Sequence, residues 1–172
     1  MLGTTQRAVS AWPVVESGSS GHPIKTLQYL LRAHGFDVPV DGGFGGKTEV
    51  AVRAVQARSG LRASGIVDAR TWKAVVLEVR KGSRGDAVRG LQEEFQFRNV
   101  AGDKVKRLPI NGDFGPATDA AVRAFQHALS HDDPSVAEDG VVGPTTWQAL
   151  VSGMLPEWRR RRNPPRDTNT KH

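Results

Sequence analysis

Residues 40–48, VDGGFGGKT, decide the fold, because the chain contains a close variant, INGDFGPAT, at residues 110–118. Each copy runs directly into the same phrase, AVRAVQ at residues 51–56 and AVRAFQ at residues 121–126. Self-similarity at a regular spacing is the signature of a repeated structural unit. The sequence is therefore a duplication of one small unit and not a single irregular domain.

The match between the copies extends on both sides of this stretch. Upstream, the matching segments are GSSG at 18–21 with GSRG at 82–85, and Leu27-Gln28 with Leu91-Gln92. Downstream, they are SGIV at 64–67 with DGVV at 139–142, and Thr71-Trp72 with Thr146-Trp147. The spacing between equivalent residues grows from 64 to 70 and then to 75, so the second copy carries two insertions, at residues 98–107 and 130–138. Because both insertions fall in connections, they leave the framework unchanged.

Apolar residues recur at helical spacing in three places in each copy. Ile24, Leu27 and Leu31 predict a first helix that ends at His34-Gly35, where glycine suits the left-handed position after a helix. The second helices present one buried face each: Thr48, Ala51, Val52 and Val55, and Thr118, Ala121, Val122, Phe125 and Leu129. The third helices present Trp72, Val75, Val76 and Val79, and Trp147, Leu150, Val151 and Leu155. The predicted fold is all-α: two tandem three-helix bundles with short helices and glycine-rich turns.

These patterns also predict the domain boundaries and the core. The first repeat spans residues 12–79, the second spans residues 80–156, and residues 157–172 form a basic, disordered tail. Large aromatic residues at helical spacing usually pack inside. We therefore expect Trp12 to lie against the first repeat, and the core to contain Phe44, Phe114, Trp72 and Trp147. Units of this size bury only about 60% of the surface that the unfolded chain exposes, so we expect the two repeats to contact each other.

The net charge of +6 is concentrated in the predicted tail. Residues 157–172 contain six basic and two acidic residues, which leaves +2 for residues 1–156. An arginine-rich terminus of this kind is typical of a solvated segment, and the folded part is not expected to bind nucleic acid. The absence of cysteine excludes disulfides and thiolate sites. The sequence has neither a signal-peptide pattern at its N-terminus nor an apolar run long enough to span a membrane.

The combined pattern resembles that of a known family. It reads G-x-x-G-x-x-[IV]-x-x-L-Q, then [DN]-G-x-F-G-x-x-T-x-x-A-V-x-x-[VF]-Q, then G-x-V and T-W. It is similar to the three-helix peptidoglycan-binding domain that is attached to bacterial wall amidases, carboxypeptidases, muramidases and phage endolysins. The similarity covers residues 12–155. It implies non-catalytic binding of the wall polymer through a shallow groove beside the Asp-Gly-x-Phe-Gly turn and the helix after it.

The resemblance also implies where a ligand would contact each repeat. Peptidoglycan offers hydroxyls, amides and carboxylates, which backbone donors at open glycine turns and Asp, Asn, Gln and Arg side chains can bind. The candidate ligand-binding residues are Asp41, Gly42, Arg53, Gln56, Asn111, Gly112, Asp113, Arg123 and Gln126. The expected partners are bacterial peptidoglycan and a separate wall hydrolase or particle component, with no cofactor. The expected place of action is the bacterial cell wall, by an export route that the sequence leaves open.

Other interpretations of these residues stay open at this point. Gln56 and Gln126, like Gln28 and Gln92, either contact the ligand or satisfy buried loop carbonyls. Arg53 and Arg123 either bind the ligand or are ordinary solvated helix residues. One alternative function is a protein-interaction or assembly module that reuses the fold. Another is nucleic-acid binding through the arginines at 159–162.

No catalytic chemistry is predicted. His127 and His131 have the i, i+4 spacing of a helical zinc-binding pair. A polar loop is the preferred interpretation, because the first copy has Ala57 opposite His127. Residues 42–46, GGFGG, lack the Lys-Ser/Thr pairing of a nucleotide-binding loop, and no serine elbow is present. We therefore expect a binding module and not an enzyme.

Overall fold

A computed structural model describes residues 9–100 and 108–153. Within these residues it contains six helices: α1 (Ile24–Ala33), α2 (Gly46–Arg58), α3 (Ala69–Val75), α4 (Asp86–Val100), α5 (Pro116–Ser130) and α6 (Pro144–Val151). Only isolated β-bridges accompany them in the described ranges. The prediction of an all-α fold with two successive three-helix units is therefore confirmed. The predicted tail at 157–172 and Leu155 lie outside the described residues.

The helices are short. The longest, α4 and α5, have 15 residues each. Over the part of the chain that the structure covers, none combines the length and the apolar content of a membrane span.

Glycine, proline and one aspartate set the helix ends. Gly115 and Gly143 are extended N-cap residues, and the proline after each lies in the first helical turn, where a missing N–H costs least. Asp68 begins α3 instead, because its carboxylate accepts a hydrogen bond from the Thr71 backbone N–H at 3.0 Å. Gly35 follows α1 with a φ of 91°, as the sequence predicts. These signals are local, which is why the sequence locates the helices well.

One buried glutamine closes each of the four turns within the repeats. Its Oε1 accepts the backbone N–H of a turn glycine at 2.9–3.0 Å, in the pairs Gln28–Gly42, Gln56–Gly65, Gln92–Gly112 and Gln126–Gly140. Its Nε2 donates to a carbonyl oxygen of the same turn at 2.8–3.1 Å, on Gly43, Ile66, Asp113 and Val141 respectively. Nε2 also donates to a threonine hydroxyl of the next helix at 2.9–3.3 Å, on Thr48, Thr71, Thr118 and Thr146.

These four glutamines are at most 1% exposed. Their bonds are therefore made away from water, where leaving a polar group unpaired costs about 1–3 kcal/mol. The interpretation that the glutamines satisfy buried loop carbonyls is confirmed. Each three-helix repeat thus contains the same helix-turn-helix closure twice.

Helix α3 is shorter than the apolar spacing predicts. Helix α3 ends at Val75, and Val76 is already extended, with a ψ of 141°. Val79 forms an antiparallel bridge with Val142 of the second repeat. The placement of Val76 and Val79 on the core face of the third helix is therefore wrong, because these residues continue the apolar spacing of α3 without continuing the helix. The predicted repeat bounds, residues 12–79 and 80–156, stay a prediction.

In each repeat, the tryptophan of the third helix donates a hydrogen bond to the extended segment that precedes the first helix. Trp72 Nε1 donates to the Pro13 carbonyl at 2.7 Å, and Trp147 Nε1 donates to the Leu77 carbonyl at 2.8 Å. Trp12 stacks on Trp72 with ring centroids 6.0 Å apart, as expected. The predicted core positions of four aromatic residues are confirmed at 0–3% exposure: Phe44, Phe114, Trp72 and Trp147.

The two repeats pack through α1 and α4, which confirms that they contact each other. Gly90 of α4 lies where the first repeat has Thr26 of α1, and these equivalent positions face each other. A Cβ at Gly90 would lie 3.2 Å from the Tyr29 Cβ and 3.5 Å from the Thr26 carbonyl oxygen. Glycine at this position therefore permits the close approach of the two helices.

A buried ion pair reinforces the contact between the repeats. Glu94 is fully buried on α4, and its carboxylate lies 2.6 Å from both His22 Nε2 and Thr26 Oγ1 of the first repeat. Arg98 Nη1 donates to the same carboxylate at 2.9 Å, and Arg98 Nη2 donates to the Leu150 carbonyl at 2.7 Å. This network joins α4 to α6 and to the start of α1.

Candidate functional site

The Asp41 turn is the exposed polar feature of the first repeat. Asp41 Oδ1 accepts hydrogen bonds from the Gly43 backbone N–H and from Gln28 Nε2, both at 2.9 Å. These two donors, the backbone N–H first, hold the pKa of the Asp41 carboxyl below its ordinary value. Because the pKa is lower in the folded chain, the stabilisation is present above the unfolded pKa of about 4 and is lost as the pH falls through the folded value.

The equivalent turn of the second repeat has the same geometry with different charges. Asn111 Oδ1 accepts hydrogen bonds from the Asp113 backbone N–H at 2.9 Å and from Gln92 Nε2 at 3.0 Å. The negative charge lies two residues later, on Asp113, which is paired with Arg84 at 3.3 Å. The side chains of Asn111 and Asp113 are exposed, whereas Gly112 is buried. The second turn therefore offers an amide and a carboxylate at its surface.

Arg53 and Arg123 do not lie at the two turns just described. Each lies at the second turn of its repeat, which connects α2 to α3 in the first repeat and α5 to α6 in the second. Arg53 donates to Glu49 Oε1 at 2.8 Å and to the Ala63 carbonyl. Arg123 donates to Asp119 Oδ2 at 3.1 Å and, more weakly, to the Glu138 carbonyl at 3.4 Å. Their side chains are 46% and 52% exposed. Each guanidinium is thus anchored to its own repeat and still reaches solvent.

These arginines pack over the glycines that the second turns require, which predicts unequal costs for glycine substitutions. Gly140 has a φ of 77°, and a Cβ there would lie 2.7 Å from Asp119 Oδ1 and 2.8 Å from Arg123 Nη2. We expect Gly140→Ala to lower the unfolding free energy by about 2–3 kcal/mol in urea titrations, because strain and displaced side chains add. Gly60→Ala is the control, since Gly60 has a φ of 69° but open space around its Cβ position. Equal losses for the two variants would contradict this account.

Gln56 and Gln126 do not present their amides to a ligand. Both side chains are 1% exposed and are bonded to their turns. We therefore move Gln56 and Gln126 from the candidate ligand contacts to the residues that support the turns, because their amide groups are already hydrogen-bonded inside the fold. The candidate residues left at the surface are Asp41, Arg53, Asn111, Asp113 and Arg123, with Gly42 partly exposed.

A cavity of about 310 Å³ lies beside the Asp41 turn, between the two repeats. It is lined by Gly21, His22, Pro23, Lys25, Thr26, Asp41, Gly42, Glu93 and Phe97. Its walls come from the start of α1, the Asp41 turn and α4, whereas the family resemblance implies a groove beside α2. A second concavity, of about 380 Å³, does lie beside α2 and is lined by Phe36, Asp37, Val38, Gly46, Lys47, Val50 and Ala51.

Sequence reasoning missed His22, Glu94 and Phe97 as neighbours of this turn. The one available signal was Glu94, which occupies the position of Leu30 in the first repeat and so interrupts an apolar stripe. The partners of Glu94 in the first repeat, His22 just before α1 and Thr26 in α1, lie about 70 residues earlier in the chain. Periodicity within one repeat carries no information on such contacts.

His127 lies in the last turn of α5 and His131 directly follows the helix, so the polar-loop interpretation is wrong for His127. The two histidines form a polar cluster with the second insertion. His127 Nδ1 lies 2.9 Å from Glu138 Oε2, and Ser130 donates to the other oxygen of the same carboxylate. His131 contacts His127 ring edge to ring face at 4.9 Å. No group of three metal-ligating side chains occurs among the residues that the structure describes. Because Ser130 bonds to the carboxylate and not to the imidazole, the cluster is not a nucleophile–base arrangement.

Comparisons with known proteins agree with the repeat structure. A family model described as "Putative peptidoglycan binding domain" matches residues 20–75 and 84–150. The N-acetylmuramoyl-L-alanine amidase CwlL of Bacillus licheniformis is 30% identical over 83% of this chain and 46% of its own length. The zinc D-Ala-D-Ala carboxypeptidase of Streptomyces albus G is 40% identical over 46% of this chain and 27% of its own length. The crystal structure of the SleB N-terminal domain, 37% identical, covers 40% of this chain and 94% of its own, with a TM-score of 0.37.

The matches differ in how much of each protein they cover. The chain spans less than half the length of the curated enzymes that it matches. The family model, in contrast, matches both three-helix units and most of the chain. The chain therefore belongs to the peptidoglycan-binding domain family and carries two copies of the domain in tandem.

Proposed function

We propose that this chain binds bacterial cell-wall peptidoglycan without cleaving it, and that it holds a partner at the wall. The observation that carries the proposal is that the two matched family segments coincide with the two structural repeats. Both repeats keep an exposed polar turn, at Asp41 and at Asn111-Asp113. A separate wall hydrolase or particle component is the proposed partner, since the relatives with known names are wall enzymes of greater length.

The proposed contacts are the exposed polar groups of each repeat. Arg53 and Arg123 keep about half of their side-chain surface in solvent, where they can bind carboxylates or carbonyl oxygens of the polymer. Asp41 and Asn111 stand at equivalent turns and can accept hydrogen bonds from hydroxyls or amides. If both repeats engage one polymer, the second contact is intramolecular and two weak sites give a strong attachment.

Co-sedimentation with isolated bacterial sacculi tests this function. We expect the full chain and a version that ends at Pro156 to be retained alike at each salt concentration, because the proposed contacts lie in the repeats and not in the tail. Retention only of the full chain and only at low salt would assign the binding to the arginines of the tail. Failure of both forms to sediment would remove wall binding and favour the assembly-module alternative.

Removing the two exposed guanidinium groups should weaken retention. We expect Arg53→Gln/Arg123→Gln to lower the affinity for sacculi at least about tenfold, because a hydrogen bond to a charged group contributes about 1.5–3 kcal/mol. Arg32→Gln/Lys73→Gln is the control, with the loss of two positive charges at exposed helix positions away from the second turns. Thermal melts of both double variants separate lost contacts from lost folding. Equal retention of the two variants would exclude Arg53 and Arg123 as contacts.

A further inference from the structure

We propose that the cavity between the repeats binds the peptide stem of peptidoglycan, and that its selectivity is for a ligand carrying both an ammonium and a carboxylate. This inference rests on the proposed function and adds the part of the polymer that is recognised. The cavity has about 310 Å³ of space, at the small end of the roughly 300–1,000 Å³ typical of ligand pockets. It suits a few amino acids and not an extended strand.

The cavity exists only when both repeats are present. One wall comes from the start of α1 and the Asp41 turn, and the other comes from Glu93 and Phe97 of α4. The buried Glu94 carboxylate, bonded to His22 and Thr26, holds these walls together. A preformed, rigid site of this kind avoids part of the ordering cost of binding. The site is thus a property of the tandem arrangement and not of a single domain.

The charges of the cavity match a peptide better than a glycan. Lys25 Nζ lies 3.6 Å from Glu93 Oε1 across the junction, with the two side chains 51% and 22% exposed. A solvent-exposed pair of this kind contributes only about 0–1 kcal/mol, so both groups are available to exchange partners with a ligand. Asp41 adds a second carboxylate at the same cavity. Two carboxylates and one ammonium complement an ammonium and a carboxylate on a stem peptide, whereas a chain of N-acetylated sugars carries neither.

An aromatic platform lies in the same cavity. The Phe97 ring is 45% exposed and stacks on the His22 imidazole, with centroids 4.0 Å apart and an interplanar angle of 13°. An exposed, immobilised apolar ring beside polar groups is typical of a binding site and offers a surface for the aliphatic part of an amino acid. The pair has no counterpart at the equivalent positions of the other repeat, which hold Asp86 and Ala33. The aromatic platform therefore occurs at one end of the contact between α1 and α4 and not at the end that the repeat makes equivalent.

Calorimetric titration of the full chain with two soluble probes tests the assignment. The probes are a stem peptide with free amino and carboxyl groups and an oligomer of N-acetylglucosamine. We expect the stem peptide to bind more tightly than the sugar oligomer. Lys25→Gln/Glu93→Gln should weaken peptide binding about tenfold or more, because charged hydrogen bonds are lost. The control is Lys73→Gln/Glu78→Gln, which neutralises two exposed residues outside the cavity and should leave the affinity unchanged.

Phe97 gives a second, independent readout. We expect Phe97→Ala to weaken peptide binding at least about fivefold through lost apolar contact, and Phe97→Leu to weaken it less. Val50→Ala is the control, since Val50 is 68% exposed outside this cavity. If a thermal melt shows that Phe97→Ala is unfolded, Phe97→Leu and the Lys25→Gln/Glu93→Gln variant supply the test instead.

The outcomes separate the inference from the proposed function. Sedimentation of the wild type with sacculi, together with unchanged peptide affinity in the Lys25/Glu93 and Phe97 variants, would overturn the cavity assignment and leave wall binding standing. Preference for the sugar oligomer over the peptide, or no measurable peptide binding by the wild type, would also overturn it. Loss of sedimentation by the wild type would overturn the proposed function itself.

Discussion

Replacing Glu94 with alanine should lower the free energy of unfolding by about 3–5 kcal/mol, which is the cost of removing one partner of a buried ion pair. The Arg98 side chain is 3% exposed, so its charge would lose the Glu94 carboxylate without gaining water. Thr26 Oγ1 and His22 Nε2 would lose the same partner. Chemical denaturation of the full chain measures the loss. Glu93→Ala is the control, because the neighbouring Glu93 carboxylate is paired at 3.6 Å with an exposed Lys25. Its loss should change stability by less than about 1 kcal/mol.

A double variant distinguishes the charge effect from lost packing. Glu94→Leu/Arg98→Met replaces the pair with apolar side chains of similar size, and Leu is the residue that the first repeat has at this position. Exchange of a buried ion pair for apolar residues is often neutral or stabilising. We therefore expect the double variant to be more stable than Glu94→Ala. A double variant as unstable as Glu94→Ala would show that the hydrogen bonds of the network, to His22, Thr26 and the Leu150 carbonyl, dominate over the charge.

Gln92→Ala should be the second most damaging change, at about 2–4 kcal/mol. It removes the acceptor for the Gly112 N–H and the donor to the Asp113 carbonyl and to the Thr118 hydroxyl, and all these groups lie in or beside a buried network. The loss should be confined to the second repeat, so hydrogen exchange of the Gly112 amide should accelerate before that of the Gly42 amide.

Gln96→Ala on the same helix is the matched control for Gln92→Ala. Among the residues that the structure describes, the Gln96 side chain makes one hydrogen bond, from its Nε2 to the Leu108 carbonyl at 2.9 Å, and Gln96 is partly exposed. Its replacement should cost about 0.5–1.5 kcal/mol. Comparable losses for Gln92→Ala and Gln96→Ala would contradict the view that the turn closure depends on one buried amide.

The sequence predicted what depends on local signals. Apolar spacing located the helices, and Gly35 marked the end of α1, which the structure confirms. The same logic failed at Val76 and Val79, because their spacing continues that of α3 while their actual partners, such as Val142, lie far along the chain. Local periodicity cannot distinguish a helix that continues from an extended segment with apolar residues.

The candidate site was less accessible to sequence reasoning. The repeated pattern identified the Asp41 and Asn111 turns, but it left the glutamines open, because an amide suits a ligand and a loop carbonyl equally well. Burial to 1% separates these roles for Gln56 and Gln126, and burial is a property of the folded chain. The cavity with Lys25, Glu93 and Phe97 was missed because its walls come from two repeats.

Because the buried glutamines fix the turns, the loops that connect helix ends to turns are suitable sites for inserting foreign peptides. The sequence separation between the glutamine and its turn glycine is 9, 14, 14 and 20 residues in the four closures, yet all four make the same bonds. Doubling the length of a flexible loop costs only about 0.6 kcal/mol in closure entropy. A foreign peptide inserted between helix end and turn would therefore be displayed at the surface without a change in helix register, which gives the tandem domain four addressable display positions.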